Sequence, residues 1–180
     1  MYDVMNVSRR AALKQFVIIA AGVALLPSCL QHSKKKIAGF EKVPIDEDQL
    51  ALMNGVAQVI IPDTGTPGAK AVQADMFALT MLNDCYKQAD RERFLKGMQA
   101  FTDQVKKQYN KSFTECTPEE QTAIIKAANG ASDPETNDAT YFYKTMKHLT
   151  MQAYTQSKYF MTEVQVYQQI PGKYIPSQAV

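Results

Sequence analysis

Histidine and cysteine are scarce in this chain, with His32, His148 and three cysteines among 180 residues. A nucleophilic triad needs a base, and no Ser/His/Asp or Cys/His arrangement surrounds either histidine in the sequence. Neither histidine has Cys, His or carboxylate partners at ligand spacing, so no metal site is expected. No Cys-x-x-Cys-His is present, which removes the standard c-type haem attachment. Glycine-rich phosphate loops and dinucleotide fingerprints are missing as well. Acidic pairs such as Glu119-Glu120 and Asp46/Asp48 already have a cause at helix N-termini. No catalytic residue is assigned.

Long apolar runs and excess charge are also lacking. The uncharged run Phe16–Leu26 is eleven residues, where a spanning helix needs about 20. The formal charge is +2, and residues 1–28 hold Arg9, Arg10 and Lys14 against Asp3, leaving 17 side chains of each sign in the remainder. That balance gives no electrostatic case for nucleic acid.

What is present begins at the N-terminus. Ser8-Arg9-Arg10-Ala11-Ala12-Leu13-Lys14, then the apolar run, then Leu26-Pro27-Ser28-Cys29, read as an export signal ending in a lipid-attachment site. The Arg9-Arg10 pair resembles a twin-arginine signal, the route for folded proteins, and Cys29 occupies the lipidation position of a bacterial lipobox. The expected organisation is a signal peptide over 1–28, a lipid-anchored tether over 29–43 and one helical domain over 44–180. The run Lys34-Lys35-Lys36 is either a solvated part of the tether or a contact with anionic headgroups, at roughly 1 kcal/mol per cation.

The mature chain reads as helices. Asp46 is an acceptable cap, followed by Glu47 and Asp48 and then by Leu50, Met53, Ala57 and Ile60 at helical spacing until Pro62. A second helix is predicted over 69–88 and a third over 91–109, where Phe94, Met98, Phe101 and Val105 recur by threes and fours. Thr117-Pro118-Glu119-Glu120 starts a short fourth helix that stops at Asn129-Gly130. Asp138 can cap a last one over 139–159, bearing Tyr141, Tyr143, Tyr154 and Tyr159. The fold class is all-α, a single domain of four to six helices with an extended C-terminal tail.

Two segments stand outside the helices. Pro62-Asp63-Thr64-Gly65-Thr66-Pro67-Gly68 is a double turn that serves as a helix connector or as a partner-facing surface. The tail carries Ile170-Pro171-Gly172-Lys173-Tyr174-Ile175-Pro176, whose apolar side chains are expected to pack on something. The candidate partner-binding residues are therefore Pro62, Asp63, Thr64, Pro67, Gly68, Pro171, Gly172 and Tyr174. Cys85 and Cys116 remain: an oxidising compartment permits a disulfide closing about 30 residues, worth roughly 3–4 kcal/mol. Two separate thiols fit the sequence equally well.

The stretch Val59-Ile60-Ile61-Pro62-Asp63-Thr64-Gly65-Thr66-Pro67-Gly68-Ala69-Lys70, with Asp84-Cys85-Tyr86, Tyr159-Phe160-Met161-Thr162-Glu163 and Ile170-Pro171-Gly172-Lys173-Tyr174, resembles the gluconate 2-dehydrogenase subunit 3 family. The resemblance implies a small, cofactor-free subunit of a periplasmic flavin-dependent dehydrogenase acting on sugars or sugar acids. It implies FAD in a large partner like the glucose-methanol-choline (GMC) oxidoreductases, and a haem-c cytochrome as electron acceptor. It also implies that the small subunit takes the flavoprotein through the twin-arginine translocase. The product would be a complex lipid-anchored on the periplasmic side of a bacterial envelope membrane. The family often ends Pro-Gly-x-Tyr-x-Gly-Cys, whereas Tyr174-Ile175-Pro176 stands here, so that C-terminal cysteine is missing. The alternative is a free-standing envelope lipoprotein that binds a small sugar or a protein partner.

Overall fold

The computed structural model describes residues 36–131, 134–165 and 172. The expectations for Arg9, Arg10, Cys29, Pro171 and Tyr174 fall outside these residues. Among them are five α-helices, with no strand beyond one isolated bridge pair, Lys36 with Asp46. None of the described helices is long and apolar enough to cross a membrane.

Helix α1, Glu47–Ile60, begins as its sequence dictates. The Asp46 carboxylate accepts from Gln49 N at 2.9 Å, and the Gln49 side chain accepts from Asp46 N at 3.0 Å, so two otherwise orphaned amides are satisfied reciprocally. Leu52, Met53, Val56 and Ala57 form its buried face. The globular body starts before residue 44, which corrects the tether boundary. Val43 is buried, Ile37 and Phe40 pack on the core, and Ile37 N donates to Ile45 O at 2.9 Å. The Lys42 amide reaches Asn83 Oδ1 at 3.1 Å, so this segment is held on the next helix.

Helix α2 is Ala74–Cys85, shorter at both ends than the expected 69–88. Residues 69–73 turn instead of continuing a helix, with Gln73 N donating to Lys70 O at 3.0 Å and Gln73 itself in the left-handed region at φ 52°. Tyr86 is extended at the other end. Helix α3, Gln88–Tyr109, starts one turn before Arg91 and buries Phe94, Gly97, Met98, Phe101 and Val105. It closes on Asn110 at φ 55°, with Lys106 and Lys107 in the last turn where cations suit the helix dipole. A single 3₁₀ turn, Phe113–Glu115, places the Phe113 ring 5.8 Å from Phe101. Helix α4, Pro118–Gly130, starts where expected, and Thr117 and Glu120 close a capping box there.

Helix α5, Asp138–Thr155, packs on all four other helices. A broad face of it is therefore buried, including Phe142, Tyr143, Met146, Leu149 and Thr150, while His148 and Met151 stay exposed on the opposite side. Its cap is Asn137, whose side chain accepts from Thr140 N at 3.2 Å, rather than Asp138. Asp138 is drawn off by cations of α3: Arg93 Nε lies 3.2 Å from one of its oxygens and Lys96 Nζ 2.7 Å from the other. The Arg93 guanidinium also donates to the carbonyls of Pro134 and Glu135 and lies 4.4 Å over the Tyr141 ring. The α3–α5 seam is closed by Phe142, 5.0 Å from Phe94 and 5.4 Å from Phe101. After Thr155 the chain turns through Gln156 and Ser157 and winds into a π turn, Phe160–Val164.

Candidate functional site

The segment between α1 and α2 is an exposed loop on a closed base. Pro62 stops α1, and Ala69 N donates to Ile61 O at 2.8 Å, which brings the two ends of the loop together. Inside that base the Asp63 carboxylate accepts from Gly68 N at 2.6 Å. Gly68 is buried, and a Cβ there would lie 2.6 Å from Asp63 N and 2.7 Å from Ile61 O. Only a residue without a side chain permits this approach. Residues 62–67 are all exposed above the base. A surface loop with paired ends and its own side-chain closure presents its tip with little conformational freedom left to lose on binding.

Pro67 also forms the rim of a shallow groove of about 520 Å³ between the entry to α2 and the end of α5. Val72 and Phe77 form one wall, and Ala153 and Tyr159 the other. The α5 side continues as an aromatic cluster in which Tyr154 lies 6.4 Å from Tyr159 and 5.8 Å from Phe160. Met151 and Val164 are exposed nearby in sequence, at 49% and 52%. Apolar and aromatic side chains with Gln73, Gln156 and Lys158 among them suit recognition of another surface.

The structure thus gathers Pro62, Asp63, Thr64, Pro67 and Gly68 into one element and places Pro67 beside the helix end from which the tail departs. Gly172 is exposed with open space around it. In the sequence Val72 and Phe77 fall within the helix predicted over 69–88, and Ala153 and Tyr159 within that predicted over 139–159. Nothing in their spacing says that the two faces leave a groove. The disulfide left open above is not formed, as both thiols are free. Cys85 is exposed at the last residue of α2, whereas Cys116 is buried beside the 3₁₀ turn, its thiol 3.3 Å from the Ser112 carbonyl. Burial pushes the Cys116 thiol up from its ordinary pKa.

Other perturbed groups hold the fold. Hydrogen bonds from Lys96 and then Arg93 keep the Asp138 carboxyl below its usual range. The Lys111 ammonium, 2.7 Å from Glu120, and the Thr117 amide do the same for Glu120. Burial raises Tyr86, Tyr141 and Tyr143. A second cavity, about 170 Å³, lies between α3, α4 and α5. Phe101, Val105 and Ile124 line it with Gln104, Gln108 and Asn137. Among the described residues that line it there is no carboxylate, thiol, imidazole or amine for acid–base work. His148 is exposed on α5. Among the described residues no three His, Cys, Asp or Glu side chains gather as a metal centre would require.

The family model described as gluconate 2-dehydrogenase subunit 3 matches residues 47–172. No curated protein and no solved structure matches the chain.

Proposed function

The chain belongs to the gluconate 2-dehydrogenase subunit 3 family, and from that premise we propose that it is a non-catalytic small subunit that binds, stabilises and co-exports a flavin-dependent dehydrogenase. The partner is a GMC-type flavoprotein that oxidises a sugar or sugar acid on its own FAD and passes electrons to a cytochrome c. The Arg9-Arg10 signal sends the pair through the twin-arginine translocase. Cys29 then holds the complex by its acyl chains on the periplasmic side of the membrane.

A flavoprotein folds around its cofactor before export. A folded load shares one signal only if it binds the signal's owner first, which calls for an interface burying about 1,000 Å² or more. The observation that carries this reading is the family match across residues 47–172. The exposed Pro62–Pro67 loop on its Asp63–Gly68 base supports the choice of contact surface. Co-expression with the flavoprotein and recovery of the pair from the envelope is the test. Replacing Arg9 and Arg10 by lysine is expected to leave both chains in the cytoplasm. Thr64→Arg and Pro67→Arg are expected to release the yellow partner while the small subunit keeps its melting temperature. Unchanged recovery of flavin with both loop variants would refute the assigned surface, and turnover by the small subunit alone would refute the non-catalytic role.

A further inference from the structure

Pro67 belongs at once to the exposed loop and to the groove between α2 and α5, so loop and groove are one continuous surface. We propose that the groove, with the aromatic strip along the end of α5, is the larger part of the dehydrogenase-binding surface, and that it seats an apolar, weakly charged projection of the folded flavoprotein. This site rests on the partner reading above and extends it to where most of the contact lies. Size is the first reason. A stable interface engages about 20–30 residues a side, and the exposed loop over 62–67 has six. The remainder must come from surface that adjoins the loop.

Chemistry selects the groove side. The centre of a protein interface is depleted in charge and enriched in Tyr, Phe and Met. Lys158 is the one charged side chain among the described residues that line the groove, beside Val72, Phe77 and Tyr159. Tyr154 lies 6.4 Å from Tyr159 and meets Phe160 edge to face at 5.8 Å, which carries the apolar surface from the groove around α5. Met151 stands three residues before Tyr154, and so beside it on the helix surface. Val164 stands in the π turn with Phe160. These two are the large apolar side chains left exposed among the described residues. The outward side of α3 has the opposite character, with Glu92, Lys96, Asp103, Lys106 and Lys107 exposed. A projection in the groove meets apolar walls at Val72 and Phe77, with the amides of Gln73 and Gln156 available to its polar groups.

The test uses the co-expressed pair, recovered on a tagged small subunit, with bound flavin measured by absorbance. Ala71→Arg and Gln156→Arg each place a long cation at an exposed position of the groove wall. Gln99→Arg does the same on the outward side of α3. Burying an unpaired charge is costly, so each groove variant is expected to weaken the pair about tenfold or more. Gln99→Arg is expected to leave it unchanged, and all three subunits are expected to keep the wild-type melting temperature. Hydroxyl-radical footprinting of the wild-type protein reads the same surface without a substitution. Phe77, Met151 and Tyr159 are expected to be oxidised in the isolated subunit and severalfold more slowly in the pair, with Tyr109 at the end of α3 unaffected. Unchanged recovery with both groove variants, or unchanged oxidation of Phe77 and Tyr159 on pairing, would overturn the proposal. If Thr64→Arg still releases the flavin in that case, the partner reading stands without the groove. Protection of these side chains in the dilute isolated subunit would overturn it by assigning the groove to the chain itself. Protection that rises with concentration alongside a dimer mass would overturn it in favour of a second copy. Absence of flavin on the wild-type subunit would refute the partner reading and this site with it.

Discussion

Replacing Gly97 by alanine sets two well-understood effects against each other. Gly97 lies in the interior of α3, where alanine is favoured by about 0.8–1.0 kcal/mol over glycine. A reading of α3 alone therefore predicts a more stable protein. The tertiary structure predicts the reverse. A Cβ at residue 97 would be driven into the carbonyl oxygen of Asp138 and would lie 3.0 Å from Phe142 Cβ. Backbone atoms cannot rotate away, so α5 must move off α3. That movement loosens Phe142 from Phe94 and Phe101 and draws Asp138 away from Arg93 and Lys96. Overpacking costs about 1–3 kcal/mol, and each aromatic pair contributes about 0.5–1.5 kcal/mol beyond its area. Set against the helix gain, the net loss is about 2 kcal/mol. For a domain of this size that lowers the melting temperature by about 4–8 °C. Thermal unfolding followed by circular dichroism measures it, with Gly130→Ala as control, since nothing stands within 4 Å of a Cβ there. An unchanged or raised melting temperature for Gly97→Ala would refute the close approach of α3 and α5.

Thr150 is fully buried and its hydroxyl has no hydrogen-bond partner. Thr150→Val, which keeps the shape and removes the unpaired group, is expected to stabilise by about 1 kcal/mol in chemical denaturation; a loss of stability would mean that the hydroxyl is satisfied. The Asp138 carboxyl has its pKa lowered on folding by Lys96 and Arg93. Its contribution is therefore present above the unfolded value of about 3.8 and is lost as pH falls through the lower folded value. Asp138→Asn is expected to lower the melting temperature at pH 7 and to leave it nearly unchanged at pH 2, and an equal drop at both would remove the charge from the explanation. With Cys29 replaced by serine, a thiol reagent is expected to label Cys85 quickly and Cys116 slowly, because only Cys85 is exposed and burial raises the Cys116 pKa. Equal labelling rates would contradict the burial of Cys116.

Much of this was legible residue by residue. Asp46 with Gln49, and Thr117-Pro118 with Glu120, start their helices through bonds that reach three residues along the chain, so sequence alone is enough to see them. The apolar repeats at Phe94, Met98, Phe101 and Val105 mark a buried face for the same local reason. The Pro62–Gly68 stretch was visible as an unusual double turn, because proline and glycine restrict the backbone wherever they stand. The resemblance to the small-subunit family rested on such stretches, and the match over residues 47–172 bears it out.

Other features depended on contacts across long separations in sequence. Asp138 was a good cap by type, yet Arg93 and Lys96 claim it from 45 and 42 positions away and Asn137 caps instead. Ala69 to Gln73 carried a helical pattern, but pairing Ala69 with Ile61 and Gly68 with Asp63 bends the backbone and delays α2 to Ala74. Local spacing determined where helices can form and which of their faces are apolar, since those follow from bonds within one turn. Packing decided that α5 sits at the centre, that Gly97 must lack a side chain, and that a groove opens beside Pro67, since each depends on where a distant backbone comes to rest.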